Sequence, residues 1–166
     1  MSRKLAIFLP ILAVGVILDQ VTKALIAWKL PLWGKMTVIP GLLNLVHVRN
    51  KGVAFGLLSG WSAQFAWLFF VVISAVVLAI LGYLLWRLAD DQWPMALGYS
   101  LIFTGALGNL IDRIRLKEVV DFIDVYYGRY HWPAFNVADS MVCVGAAVLV
   151  WAIIREERTA DASNPV

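Results

Sequence analysis

The chain has 166 residues, 61% of them hydrophobic and only 15% charged, with a mean hydropathy of +0.79. A water-soluble domain of this length cannot hide that much apolar surface, so composition excludes one and puts the chain in a bilayer. The net charge of +3 comes from scattered basic residues, not from a stripe interleaved with stacking aromatics; that excludes a nucleic-acid binder and fits attraction to anionic headgroups.

Crossing about 30 Å of hydrocarbon takes roughly 20 helical residues, and the sequence predicts four such helices, at about 5–28, 63–86, 95–112 and 134–154. The start, Arg3 and Lys4 before an apolar run, imitates a secretory signal, but Asp19, Gln20 and Lys23 stand where small residues precede cleavage, so a retained span is expected. Between spans one and two, about 29–61, Pro31, Gly34, Pro40, Gly41, Gly52, Gly56 and Gly60 punctuate β-prone pieces such as MTVI and LNLVHV, which predicts a small strand-rich module. RLADDQWP reads as a polar turn, Asp112 to Pro133 as an interfacial segment of mixed charges and aromatics, and about 156–166 as a disordered tail. The expected fold class is therefore a mainly α, polytopic membrane protein with one strand-rich insertion, in a single domain. Four crossings put both termini on one side; by charge count alone that side, with Arg3, Lys4, Arg87, Arg155 and Arg158, is the poorer in basic residues.

Polar clusters gather on the other side: Asp19 with Lys23 in DQVTK, Asn50 in NKGVAFG, Asn109, Asp112 and Arg113 in GNLIDR, Asp121 in VVDF, and Asn136 with Asp139 in FNVAD. Asp19 and Lys23 are four apart and can pair on a helix. Asn136 and Asp139 have the spacing of a helix cap with an acid at the third position. Asp121 interrupts Val119, Val120, Phe122 and Ile123 and has no local partner in the sequence. A carboxylate near hydrocarbon costs at least a few kcal/mol, which makes Asp121 and Asp139 functional candidates. Two carboxyls meeting in a dry site do not both ionise readily, the arrangement that aspartic proteolysis needs.

Other chemistries are poorly supplied. HExxH, GxSxG and a glycine-rich phosphate loop are absent, His47 and His131 are isolated, and Cys143, the one cysteine, sits in an apolar run where packing is its expected role, so no cofactor or metal is expected. Two non-hydrolytic classes compete: a proton-coupled transporter, against which the acids cluster on one side, and a scaffold in which the aspartates only cap helices.

In this order the motifs DQVTK, NKGVAFG, GNLIDR, VVDF and PAFNVAD resemble those of the bacterial lipoprotein signal peptidase (signal peptidase II) family, over essentially the whole chain. Gly56 departs modestly, standing where many members are expected to have serine. The resemblance implies an intramembrane aspartic endopeptidase that cuts the signal peptide from a prolipoprotein before its diacylglyceryl cysteine. It implies Asp121 and Asp139 as the catalytic dyad, with Asp19, Lys23, Asn50, Gly52, Asn109, Asp112, Arg113 and Asn136 binding substrate or supporting the pair. It further implies the bacterial inner membrane, cytoplasmic termini against the charge count, and a site near the periplasmic leaflet under a β-cradle. The expected partners are prolipoproteins, membrane lipids and globomycin-type inhibitors, and a single chain holding every required group is expected to work as a monomer.

Overall fold

A computed structural model describes residues 2–52 and 62–163 of the chain, with side chains up to residue 157. Four helices are long and apolar enough to cross a membrane: α1 (Arg3–Lys29), α2 (Ala63–Arg87), α3 (Trp93–Leu116) and α4 (Val137–Ser163). Lys4 Nζ donates to the carbonyls of Trp86 and Leu88, Arg3 stacks over Trp93, and Gln92 donates to Glu156. The first turn of α1, the end of α2, the start of α3 and the charged stretch of α4 thus meet at one end of the bundle.

Helix α3 is the core of the bundle. In lipid, helices associate by close packing and not by fleeing water, so their contact faces favour small residues. On α3 these are Ala96, Gly98, Ser100, Thr104, Gly105 and Gly108, all buried. A Cβ on Gly105 would meet the carbonyl oxygen of Ala138 on α4, and one on Gly108 would lie 2.6 Å from Asp19 Oδ2 on α1.

At the opposite end from the termini lies an antiparallel sheet in the order β1-β2-β3-β4. The hairpin β1 (Lys35–Ile39) and β2 (Leu43–Asn50) turns at Gly41, whose φ of +80° suits glycine. Strands β3 (Val119–Tyr127) and β4 (Tyr130–His131) come from the α3–α4 connection, and β2 pairs with β3 so that Val48 faces Asp121. The strand-rich module expected between α1 and α2 supplies β1 and β2, and one correction concerns the residues read as an interfacial segment at 112–133: α3 runs on to Leu116, and Val119–Tyr127 and Tyr130–His131 form the other half of the sheet. Residues 53–61 of that module, including Gly56 and Gly60, lie outside the described residues. At the other terminus α4 continues to Ser163, where disorder is expected from about 156. Arg155, Glu156, Glu157, Arg158 and Ala160 are good helix formers, and no glycine or proline intervenes before Pro165.

Candidate active site

Asp121 sits on β3 and is buried, with 3% of its surface exposed. Its Oδ2 accepts from Asn50 Nδ2 at 2.9 Å and its Oδ1 from Asn136 Nδ2 at 2.7 Å. Burial, opposed by the Asn50 bond and reinforced by the charge of Asp139, raises its carboxyl to about 6. Asn50 is itself set by Gly52, whose N–H donates to Asn50 Oδ1 at 2.7 Å. Gly52 has φ +80° and lies against the ring of Phe70, so both its backbone and its missing side chain are required.

Asp139 lies in the first turn of α4. Its Oδ1 accepts from Asn109 Nδ2 at 2.8 Å and its Oδ2 from the Asn136 N–H at 3.1 Å, while its own N–H donates to Asn136 Oδ1 at 2.9 Å. This is the cap read from the sequence, and it does more than cap. The Asn136 side chain, fully buried, donates to Asp121 and Asn109, so one residue ties both aspartates together.

Beneath the pair is a buried charged cluster. Lys23 Nζ lies 2.9 Å from Asp19 Oδ2, 3.0 Å from Asp112 Oδ2 and 3.1 Å from Asn109 Oδ1. The ammonium needs acceptors, which turns the Asn109 amide so that Oδ1 faces Lys23 and Nδ2 faces Asp139. Asp19 Oδ1 accepts from the Ala138 N–H, and Asp112 Oδ2 from the Val120 N–H, so the cluster pins the residue before each aspartate. Gln20, which sequence reasoning missed, donates to Asp19, Asp112 and the carbonyl of Gly108. Its polar neighbours in DQVTK were the available signal; three partners on two helices were not visible.

Arg113 forms no ion pair with a described residue; its guanidinium lies 5.4 Å from the centre of the Phe70 ring. With Asp139, Asn109, Ile73, Val77 and Val142 it lines an open cavity of about 320 Å³ among α2, α3 and α4. Cys143 also lines it and is exposed, not packed as expected, because it stands one turn after Asp139 on the same face of α4. Every site residue named from the sequence therefore belongs to one connected cluster or its cavity.

The family model described as signal peptidase (SPase) II matches residues 11–155. The chain belongs to the signal peptidase II family. It is 45% identical to the lipoprotein signal peptidase of Geobacter metallireducens over 99% of this chain and 100% of that one. It is 48% identical to that of Geobacter sulfurreducens over 92% and 94% of the two chains. Two solved structures, both described as bacterial membrane enzymes determined in meso, are similar to it. One is 38% identical with a TM-score of 0.76, covering 86% of this chain and 89% of that one; the other is 39% identical with a TM-score of 0.78, covering 94% and 89%. A signal peptidase II with four spanning helices is a multi-pass bacterial membrane peptidase.

Proposed function

We propose that this signal peptidase II cleaves the signal peptide from bacterial prolipoproteins, before a cysteine already carrying diacylglycerol, by aspartic chemistry at Asp121 and Asp139. The observation that carries the reading is the bridge made by Asn136, which donates to both carboxyl groups beside an open cavity. With one proton shared by the pair, the ionised carboxylate takes a proton from water as its oxygen bonds to the scissile carbonyl carbon. The protonated partner gives its proton to the carbonyl oxygen. Collapse of the tetrahedral intermediate breaks the C–N bond, and the amine leaves with a proton returned by the pair. Because Asp121 titrates at about 6, the protonated state costs only about 1 kcal/mol at neutral pH. The titration belongs to the pair.

The other residues take supporting roles on this reading. Asn50 with Gly52 and Asn136 hold Asp121, Asn109 holds Asp139, and the cluster of Asp19, Lys23 and Asp112 fixes the backbones on either side. Arg113, which pairs with no carboxylate among the described residues, is available to bind the substrate main chain across the cavity. Globomycin-type inhibitors would occupy the same pair. One chain supplies all of these groups, which supports a monomer. In the inner membrane, with cytoplasmic termini, the sheet end of the bundle faces the periplasmic leaflet. A substrate confined by two acyl chains to the membrane plane meets the pair there, where water also reaches it.

The test is incubation of purified enzyme with a diacylglyceryl-modified precursor and its unlipidated control, read by mass spectrometry. Cutting before cysteine that depends on the lipid and is abolished by Asp121→Asn and by Asp139→Asn is expected. Full activity in either variant overturns the dyad.

A further inference from the structure

A second cavity, of about 470 Å³, lies at the other side of β3 from the aspartates. Successive side chains of a strand point to opposite faces, so Phe122 leaves the catalytic cluster that Asp121 enters and forms a wall of this cavity instead. Thr22, Leu25 and Ile26 of α1, Leu30 at its C-terminal cap, Met36 of β1 and Leu45 of β2 complete a lining that is apolar but for the Thr22 hydroxyl. One cation joins them. Lys29 lines the cavity, is exposed, and makes no ion pair or hydrogen bond with a described residue.

The level of the cavity is marked by its neighbours. Trp28 and Trp33, 79% and 71% exposed, flank it in sequence, and exposed tryptophans at a span end sit among lipid headgroups. An apolar chamber at headgroup depth with one unpaired ammonium matches a single amphiphile: an acyl chain inside, a phosphate outside. We propose that this cavity is a binding site for an anionic phospholipid, with one acyl chain between α1 and the sheet and its phosphate on Lys29. A neutral diacylglyceride would leave the ammonium without a partner, which separates this ligand from the lipid of the substrate.

The test is native mass spectrometry of the purified enzyme titrated separately with phosphatidylglycerol, phosphatidylethanolamine and diacylglycerol of identical chains. Preferential retention of one phosphatidylglycerol is expected. Lys29→Gln should weaken that retention by about fivefold, the worth of one basic residue beside an anionic surface, whereas Lys35→Gln, a nearby exposed lysine outside the cavity, should not. Leu25→Trp, which fills the chamber from its exposed side, should lower retention of all three lipids. Unchanged retention in Lys29→Gln, or diacylglycerol held as firmly as phosphatidylglycerol, overturns the proposal. Thermal unfolding of each variant in detergent verifies folding, and precursor cleavage is read separately, so a failed dyad and a failed lipid site give different results.

Discussion

Asn136 and Asp139 hold each other through two reciprocal hydrogen bonds, side chain to backbone in both directions, at 2.9 and 3.1 Å. The same asparagine donates to Asp121, so the start of α4 and the spacing of the aspartates depend on one side chain. Asn136→Ala should lose the cap, about 1 kcal/mol of stability. It should also lose about 100-fold or more in cleavage, because a catalytic group displaced by an ångström costs that much. Asn136→Ser restores an oxygen for the cap without the amide that reaches Asp121. Its unfolding midpoint in detergent should approach wild type while its activity stays as low as that of the alanine variant; recovered activity would show that the bridge is dispensable.

Asp121 gives a pH dependence of definite sign. Its carboxyl is raised by burial to about 6 from an ordinary 3.8, so the folded protein binds this proton more tightly than the unfolded chain does. The resulting stability is complete below about pH 4 and disappears as pH rises through 6. Asp121→Asn cannot titrate. It should therefore gain on wild type between pH 4 and pH 7.5, by roughly 2 kcal/mol, while being inactive. Unfolding midpoints at the two pH values measure this, and a gap that does not change with pH would refute it.

Lys23 neutralises two carboxylates that are otherwise enclosed, Asp19 and Asp112. Removing one partner of a buried ion pair leaves an uncompensated charge, so Lys23→Met should destabilise by about 3–5 kcal/mol. The triple change Lys23→Met, Asp19→Asn, Asp112→Asn should recover much of that loss in thermal unfolding but little of the activity, since the Asn109 amide is no longer oriented. Rescue of stability and activity together would contradict an orienting role.

Gly105 packs α3 against α4 at Ala138, the residue before Asp139. A methyl there meets the carbonyl of Ala138, which is backbone and cannot swing aside. Gly105→Ala should separate the helices, lower the unfolding midpoint by about 1–3 kcal/mol equivalent, and reduce kcat more than KM. Gly82→Ala, on α2, where a Cβ would lie 3.7 Å from the Phe103 ring in ordinary contact, should leave cleavage intact and serves as the control.

The spans were legible because hydrocarbon imposes a length, and the Asn136–Asp139 cap because its spacing is local. Strand β3 was hidden for a physical reason. Val119, Val120, Asp121 and Phe122 are all buried, so no alternation of polar and apolar residues marks a strand, and its partner β2 lies about seventy residues earlier. The partners of Asp121 were hidden in the same way: Asn50 is 71 positions away and reaches it only through that pairing. Membership of Lys23 in two ion pairs at once was equally invisible. Its helical neighbour Asp19 could be paired by spacing, but Asp112, on another span, could not.

The pairing of β2 with β3 has a consequence for how the enzyme is made. Ribosomes deliver the chain from its amino end, and Asn50, Asn109, Asp121 and Asp139 emerge in that order. The carboxyl from β3 has no companion until the final helix has been threaded into the lipid. If the proposed dyad does the cutting, a half-synthesised chain holds one of its two carboxyls and stays inert, and cleavage begins only once the last crossing is in place.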